Sequence, residues 1–359
     1  MLAVIYGLPE KFSTTIQIKE LTKRLRFEKK EIMPRAWSNV FFKLAAIAAN
    51  IISSIMTVKN GDTVYASAPL IASSLPAILL KKIKGVELVV EWGDAFEDFT
   101  KKKPKPWNIK YFEYLAVKTA DKVVVVSDKL YKITSEIRGS GKSVFSIPYG
   151  VDTDFFDPEK YDRDVIREKY NLRNEILIGV TGYIGKYKGI FAYREIAEVS
   201  IQILKKYNNV RFIIVGFGPG LNDFIKFTKK NGIENKFIFT NYVKYSEMPY
   251  YIAAMDICLV PFGNDFTSYT RSSCKIKEFM SMEKAIVTMR AGESVKYMDN
   301  GRAGLLSDFD IAIFEKCIVK LIEDEKMRKK LGKAARKRAV KYYDFGVLSK
   351  QLARVLSVP

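Results

Sequence analysis

The chain has 359 residues, of which 48% are hydrophobic and 28% are charged, and its 60 Lys and Arg against 40 Asp and Glu leave a net charge of +20. This length predicts about two domains, and the composition excludes disordered, collagen-like and multi-span membrane proteins. The excess of positive charge predicts an acidic partner, which is a nucleic acid, an anionic lipid or a phosphorylated substrate.

The chain contains no histidine. This excludes a histidine general base, the Ser-His-Asp and Cys-His nucleophile systems, and metal sites built on imidazole. Cys258, Cys274 and Cys317 are isolated from one another, so we expect a reducing, cytoplasmic setting without a disulfide framework or a zinc ribbon. The opening residues do not resemble a signal peptide, so we expect none. The two longest uncharged runs, 44–58 and 63–80, are interrupted by polar residues or prolines and do not predict a membrane span. The high content of Lys and Ile is typical of proteins from organisms that grow at high temperature.

Short apolar runs alternate with helical stretches through the first half of the chain. We predict strands at 2–6, 63–67, 87–92 and 122–127, with helices from about Thr15, at 69–82 and at 128–137. Continuously apolar strands separated by helices indicate a parallel sheet that is covered on both faces.

The same pattern starts again after a turn-rich stretch at 147–162. Strands are predicted at 175–182, 211–216, 236–240, 256–261 and 284–289. The fold class is therefore α/β, with two doubly wound, Rossmann-like domains that face each other across a cleft, where open parallel sheets bind ligands. We expect the first domain to comprise residues 1–165, with a C-terminal helix at 344–359 packing back on it, and the second to comprise residues 166–343.

The segment ADKVVVVS ends at Ser127 and is followed twenty residues later by IPYGVD, which begins at Ile147. A strand ending in Ser, then a helix, then "IPNGVD" resembles the retaining glycosyltransferases of the GT-B fold, family four, which transfer sugars from nucleotide donors. Tyr149 stands at the position where that motif has Asn. The resemblance covers nearly the whole chain, is strongest at 120–158 and 175–306, and implies the GT-B architecture.

A loop with the sequence TGYIGKYKG follows the first strand of the second half. Ammonium groups in such a loop can neutralise pyrophosphate oxygens. The loop resembles the family's "GRL…KG" segment, in which Gly182 and Lys188 match by spacing, while Tyr183 replaces the usual Arg. Lys186 and Arg271 are candidate substitutes for that Arg, and lysines that merely face solvent are the alternative.

A second stretch, PFGNDFTSYTRSSCKIKEFM, leads from a strand end through a loop into a helix. We predict Ser272 as the residue that caps this helix. The free amides of Ser273, Cys274 and Lys275, together with the positive end of the helix dipole, then form an anion site suited to a diphosphate. Lys275 and Glu278 are three residues apart and share one helix face, where the carboxylate can accept hydrogen bonds from two ribose hydroxyls.

This stretch is similar to the family's donor motif in the form K-x-x-E-(Y/F)-M. The commoner form has two Glu separated by seven residues; Glu278 matches the second, and Thr270 occupies the position of the first. The resemblance implies that this position helps to hold the donor sugar, so Thr270 leaves the sugar open. The alternative is a surface ion pair between Lys275 and Glu278, worth at most about 1 kcal/mol.

Further loops carry weaker signals. The glycines after Val215 have G-x-G-x-G spacing, which we interpret as the family's "VGxGP" turn rather than a dinucleotide fingerprint. The segment after Val243 resembles the family's "Y-Y-x-x-A-D" stretch and implies that the Val243 loop meets the nucleotide base. In the first domain, Asp94 follows a predicted strand and is the candidate on the acceptor side, or else a structural carboxylate, while the loop at Gly7 matches the family's first glycine loop in position only.

Basic and aromatic residues cluster in the first domain. They are Lys23, Arg24, Arg26, Lys29, Lys30, Arg35, Trp37, Phe41, Phe42 and the run 101–107. Such a cluster suits the surface of an anionic membrane, where a lipid-borne acceptor would be met. Solvated charge beside core aromatics is the alternative, and a solvated helix face also explains the basic run at 326–341.

The resemblance implies a hexosyltransferase with Lys188, Glu278 and Asp94 as catalytic residues. It would move a hexose-type sugar from a nucleotide diphosphate sugar to a glycan or lipid-linked acceptor, with retention, without metal and without a further cofactor. We expect it in the cytoplasm, in peripheral contact with the inner face of the cell membrane, in lipopolysaccharide, N-glycan or surface polysaccharide assembly.

Two alternatives remain open from the sequence. A basic nucleic-acid-binding protein would use the charge, but no binding module is recognisable and no nucleic acid is expected. A catalytically inactive homologue that binds nucleotide sugar is suggested by Tyr183 and Thr270. An NAD-dependent oxidoreductase would need G-x-G-x-x-G after its first strand, which Gly7 does not begin, and the epimerases that share the fold use histidine.

Overall fold

The computed structural model describes residues 1–6, 13–25, 28–33, 40–67, 70–93, 95, 97–106, 108, 110–187 and 190–356. The chain forms two compact units. The first comprises Met1–Gly150, Asp265–Ser272 and Phe345–Pro359, and the second comprises Val151–Asn264 and Ser273–Asp344. The division falls between Gly150 and Val151, before the expected boundary at 165, and the last helix belongs to the first unit.

The described part of the first unit is built on a six-stranded parallel sheet. Its strands are β1 (Leu2–Tyr6), β2 (Lys29–Ile32), β3 (Thr63–Ser67), β4 (Glu87–Trp92), β5 (Lys122–Val125) and β6 (Val144–Ser146). They lie in the order β2-β1-β3-β4-β5-β6, and every neighbouring pair is parallel. The order reverses between β1 and β3, which is the doubly wound arrangement that the sequence predicted.

Helices cover this sheet. They are α1 (Ser13–Lys23), α2 (Val40–Thr57), α3 (Ile71–Lys84), α4 (Lys110–Thr119), α5 (Asp128–Arg138), α10 (Phe266–Thr270) and α15 (Phe345–Val355), numbered along the whole chain. The start of α5 is capped by Ser127, whose side chain accepts a hydrogen bond from the Leu130 amide, and its end by Gly139 at φ +69°. Helix α15 packs by Leu348 and Leu352 into the apolar cluster that contains Val4 of β1.

The second unit contains a sheet of the same kind. Within residues 151–187 and 190–344, its strands are β7 (Ile176–Thr181), β10 (Val210–Val215), β11 (Phe237–Phe239), β12 (Ile257–Val260), β13 (Ala285–Met289) and β14 (Leu305–Ser307), and β8 (Lys186–Tyr187) with β9 (Ile190–Phe191) forms a small hairpin. The order is β11-β10-β7-β12-β13-β14, with all pairs parallel. Here the order reverses between β7 and β12.

The helices of the second unit lie on both faces of its sheet. They are α6 (Asp164–Lys169), α7 (Arg194–Lys206), α8 (Leu221–Lys230), α9 (Met248–Ala254), α11 (Cys274–Ser281), α12 (Ser294–Tyr297), α13 (Ile311–Glu323) and α14 (Glu325–Arg338). Two buried apolar clusters result, one including Phe279 of α11 and the other including Phe314 of α13. None of the helices among the described residues combines the length and the apolar character that a bilayer crossing requires.

Candidate functional site

The reversal of strand order in the second unit marks a candidate site. Strand β7 ends at Thr181 and continues into Gly182, and the chain re-enters the unit after β12 through helix α11. Ligands of open parallel sheets bind beyond the carboxyl ends of the strands at such a reversal. The two segments that meet here are those in which the sequence predicted phosphate contacts.

Helix α11 begins one residue later than predicted. Its capping residue is Ser273, whose hydroxyl accepts from the Ile276 amide at 3.5 Å. The prediction of Ser272 is wrong, because the Ser272 hydroxyl instead accepts a hydrogen bond from the Tyr149 amide at 3.1 Å within the first unit. The amides of Cys274 and Lys275 therefore form the first turn of the helix, where backbone N–H groups lack helical acceptors.

The ammonium group of Lys275 lies against Gly182. A Cβ atom at Gly182 would come within 2.8 Å of Lys275 Nζ. The φ of +121° at Gly182 is a backbone conformation that residues other than glycine rarely adopt. Lys275 Nζ donates to the Tyr193 hydroxyl at 2.5 Å, and this hydroxyl donates to the Thr181 carbonyl at 3.3 Å. The missing side chain at Gly182 thus allows a cation to lie at the strand reversal.

Tyr193 and Thr181, the residues that link Lys275 to β7, each have an unusual feature. Tyr193 has φ +67° and ψ 26°, a left-handed conformation that is uncommon outside glycine. The hydroxyl of Thr181 is buried and has no hydrogen-bond partner among the described residues. A buried polar atom without a partner, in the residue whose carbonyl accepts from Tyr193, suits a polar ligand.

Glu278 lies one turn further along α11. Its carboxylate is half-buried and accepts a hydrogen bond from the Tyr245 hydroxyl at 3.2 Å. Burial raises the pKa of Glu278, while the Tyr245 hydrogen bond and the charges of Lys275 and Lys277 act in the opposite direction. Since Lys275 bonds to Tyr193 and Glu278 to Tyr245, the alternative of a mutual surface ion pair is wrong.

The other predicted donor-side residues are spread over the molecule. Lys186 forms an ion pair with Asp223 at 2.6 Å, so its charge is already engaged. Val243 is half-buried and packs against the second unit's core. Thr270 and Arg271 belong to the first unit, where the Thr270 hydroxyl donates to the Ala95 carbonyl at 3.2 Å.

Several predictions fall outside the described residues. These are Lys188, Asp94 and Gly7, together with Arg26, Arg35, Trp37 and Trp107 of the basic and aromatic cluster. Within that cluster, Lys23 pairs with Glu20 at 2.5 Å and Lys29 with Glu31 at 3.0 Å. Part of its charge is therefore neutralised by neighbouring carboxylates.

Sequence reasoning missed three residues of the site. Tyr193 and Tyr245 reach Lys275 and Glu278 from distant segments, and nothing in their local sequence indicates this. Lys277 is fully buried although its neighbours suggested a charged helix face. Its position between the core residues Ile276 and Phe279 was the available signal.

Three exposed aromatic rings follow neighbouring strands of the same sheet. Tyr183, Phe217 and Tyr242 come after β7, β10 and β11, with the Tyr183 and Phe217 ring centroids 5.9 Å apart and those of Phe217 and Tyr242 5.4 Å apart. The rings are 61%, 48% and 66% exposed. Tyr183, at the position of the family's Arg, thus supplies an aromatic surface instead of a cation.

Tyr149, the departure from the family's "IPNGVD" motif, is buried in the first unit. Its hydroxyl donates to the Glu91 carboxylate at 3.2 Å, and a Cβ at Gly93 would come within 1.8 Å of that hydroxyl. Glycine at 93 is therefore what lets the larger side chain of Tyr149 fit at the end of β4.

The buried Trp92 ring at the end of β4 is hydrogen-bonded to the Glu113 carboxyl group, whose pKa is raised. Trp92 Nε1 donates to Glu113 at 2.7 Å. Burial raises the pKa of Glu113 to about 7, against the Trp92 hydrogen bond and the Lys110 charge, which lower it. The pKa of Glu113 is higher in the folded protein than its ordinary value, so protonated Glu113 contributes to the free energy of unfolding. This contribution is complete at a pH below the ordinary pKa and is lost as the pH rises through about 7.

We expect the fluorescence of Trp92 to change with a midpoint near pH 7, because ionisation of Glu113 alters the charge at its indole N–H. The chain has no histidine to titrate in this range. Glu113→Gln should abolish the transition, and Glu97→Gln, which removes a nearby carboxylate, should keep it. A transition that persists in Glu113→Gln would assign it to another group.

The chain is similar in sequence to known glycosyltransferases. Residues 176–324 match the model of the family described as glycosyl transferases group 1. A GDP-mannose-dependent alpha-(1-6)-phosphatidylinositol monomannoside mannosyltransferase of Mycolicibacterium smegmatis is 22% identical, over 66% of this chain and 62% of its own length. The capsular polysaccharide biosynthesis glycosyltransferase CapM of Staphylococcus aureus is 24% identical, over 68% of this chain and 64% of its own. The chain thus spans less than two thirds of the length of either relative.

The fold as a whole is shared with a solved structure. The crystal structure of Anabaena Alr3699/HepE in complex with UDP and glucose is similar to this chain with a TM-score of 0.77 and 16% identity, over 99% of both chains. The predicted resemblance to glycosyltransferases of the GT-B fold is therefore confirmed: the chain has the GT-B fold, and its residues 176–324 match the glycosyl transferases group 1 model.

Proposed function

We propose that this protein is a glycosyltransferase that moves a hexose-type sugar from a nucleotide diphosphate sugar to a glycan or lipid-linked acceptor, with retention and without a metal ion. The observation that carries the proposal is the Lys275 ammonium group, held by Tyr193 against Gly182 at the strand reversal. A fixed cation beside a helix N-terminus is suited to a diphosphate.

The diphosphate would be the leaving group of the transfer. Lys275, the Cys274 and Lys275 amides and the positive end of α11 supply positive charge where the departing diphosphate becomes more negative. Charge that is already in place there stabilises the transition state without reorganisation. Lys188, which matches the family's loop by spacing, is proposed as a further cation.

The nucleoside would be held by groups beside this charge. The Glu278 carboxylate can accept hydrogen bonds from two ribose hydroxyls. The rings of Tyr183, Phe217 and Tyr242 offer stacking surface of the kind that nucleobases use. The half-buried Val243 follows Tyr242 and would contribute backbone contacts to the base.

Transfer with retention, as the family resemblance implies, would proceed by attack of the acceptor on the face of the sugar from which the diphosphate leaves. The departing diphosphate then takes the acceptor proton, so the chemistry needs no imidazole, consistent with a chain that lacks histidine. Asp94 is proposed on the acceptor side. Closure of the site around the donor would exclude water and favour transfer over hydrolysis.

The relatives support an acceptor that is a lipid or a glycan, since one is named for phosphatidylinositol monomannoside and another for capsular polysaccharide. The net charge of +20 suits an anionic membrane surface, so we place the reaction at the cytoplasmic face of the cell membrane.

The test is a thermal-shift panel of nucleoside diphosphates and their sugars in EDTA at fixed salt, followed by an assay of nucleoside diphosphate release with lipid and glycan acceptors. A bound donor should raise the Tm of the wild-type protein by mass action. Donor binding without transfer would favour the inactive homologue. Stabilisation by polynucleotides alone, weakening steeply with salt, would favour the nucleic-acid-binding alternative.

A further inference from the structure

Lys277 is a charged residue inside the second unit's core. Its side chain is 0% exposed, and it occupies the fourth position of α11. Because helical side chains lean toward the N-terminus, its ammonium group reaches back and donates to the Ser273 carbonyl at 3.1 Å. A second cation therefore lies at the N-terminal end of α11, beneath the turn that carries the Cys274 and Lys275 amides.

This place is unfavourable for a cation in the absence of a ligand. Burial lowers the pKa of Lys277 to about 8, because the ammonium group has lost its water. The helix dipole adds to the cost, since its positive end favours anions. The Tyr297 ring, 4.3 Å from Nζ, and the Tyr343 ring, at 5.8 Å, offset part of this cost through their negative faces.

Negative groups around Lys277 also favour its charged form. The titratable groups that face it are Cys274 and Glu278 of its own helix, Glu293 before α12, Tyr297 of α12, and Tyr343 of the helical turn 339–343. Glu293 is buried, and its carboxylate lies 3.8 Å from the Lys296 ammonium group. Burial outweighs these groups, since the pKa of Lys277 is still lowered, and an anion on the first turn of α11 would favour its charged form further.

We propose that Lys277 is a positioning residue of the diphosphate site, and that its protonation and the binding of a nucleoside diphosphate favour each other. The inference rests on the proposed function. Its buried charge strengthens the anion site from beneath, and its hydrogen bond holds the Ser273 carbonyl at the start of the helix. By linkage, an anion that stabilises charged Lys277 must bind more tightly when Lys277 is protonated.

The sign of the pH dependence follows. In the ligand-free protein Lys277 loses its proton near pH 8, and a bound diphosphate raises this pKa. Affinity should therefore be highest below about pH 8 and fall as the pH rises above it. Binding above pH 7 should be accompanied by uptake of part of a proton.

The test is isothermal titration with UDP-glucose and GDP-mannose between pH 7 and 9, each in two buffers of different ionisation enthalpy. The proteins are wild type, Lys277→Met, Lys277→Gln and the control Lys284→Met. Lys284 is a matched control because its pKa is also lowered by burial to about 8. It follows the C-terminal end of α11, and its Nζ donates to the Ala253 and Met255 carbonyls at 2.7 and 3.0 Å.

We expect the wild-type Kd to rise about five- to tenfold from pH 7 to 9. At pH 7 both Lys277 variants should have a Kd that is higher than that of wild type by about the same factor. Their pH dependence of binding and their proton uptake should be reduced. Lys284→Met should behave as wild type. Lys277→Met should also raise the Tm of the ligand-free protein, because it removes a buried charge, so weaker binding would not reflect unfolding.

Other outcomes would overturn the inference. Equal Kd and proton uptake in wild type and Lys277→Met would remove Lys277 from the site while leaving the proposed function standing. Wild-type affinity in Lys277→Gln, with loss only in Lys277→Met, would assign the effect to the Ser273 hydrogen bond and contradict the role of charge. Absence of binding of both nucleotide sugars, and of every other donor in the panel, to wild type would overturn the proposed function itself.

Discussion

Replacing Lys275 with Met is expected to lower kcat/KM for sugar transfer by about 10²- to 10³-fold, the range observed when a single preorganised charge-stabilising group is removed. The cation lies at the strand reversal, against Gly182 and bonded to Tyr193. Methionine keeps most of the length of the side chain and removes the charge. Initial rates with the donor identified in the binding panel measure the effect.

Lys186→Met is the matched control for this substitution. Lys186 lies in the same loop region as Gly182, but it is partly exposed and its charge is paired with Asp223. A surface ion pair is worth at most about 1 kcal/mol, so transfer should change by only a few-fold. Equal losses in the two variants, or none in Lys275→Met, would show that the site is not at the strand reversal.

Glu278→Ala is expected to weaken binding of the nucleotide sugar by about 10²-fold, because charge-assisted hydrogen bonds to two ribose hydroxyls are lost, each contributing about 1.5 to 3 kcal/mol before the cost of desolvation. Binding of inorganic pyrophosphate, which has no ribose, should change little. Lys275→Met should weaken the binding of both ligands. Titration calorimetry of the two variants with the two ligands separates the roles.

Tyr245→Phe provides the control for the surroundings of the carboxylate. It removes the hydroxyl that donates to Glu278 at 3.2 Å and leaves the carboxylate in place, so nucleotide sugar binding should weaken by only a few-fold. The Tm of each variant shows whether the second unit remains folded. If Glu278→Ala weakened pyrophosphate and nucleotide sugar equally, the carboxylate would act on the phosphate site and not on the ribose.

The two parallel sheets could be predicted because their inner strands are almost continuously apolar. KVVV of β5 and ILIGVT of β7 read as buried strands from their composition, since both faces of such strands pack against helices. The sequence also determined that Lys275 and Glu278 share a helix face, because that depends only on helical periodicity.

Three edge strands of the sheets were not predicted, whereas the edge strand β11 was. β2 has the sequence KKEI and lies at the edge of the first sheet, and the three-residue strands β6 and β14 lie at edges as well. Edge strands that are short or charged resist pairing with other chains, and these same properties remove the apolar run by which a strand is recognised. Their pairing depends on a neighbouring strand that is already in place.

The sequence predicted where the candidate site lies, and the tertiary structure determined which side chains contact each other there. Spacing predicted an anion site at the start of α11. The capping residue is Ser273 and not the predicted Ser272, because the Ser272 hydroxyl is hydrogen-bonded to Tyr149, which is distant in the chain. In the same way, Tyr193, which has a left-handed backbone conformation, accepts a hydrogen bond from Lys275 across a sequence separation of 82 residues. The burial of Lys277 depends on rings carried by two other segments. Local sequence sets the periodicity and charge of an element, whereas the partners of its side chains are set by the packing of segments that are far apart in the chain.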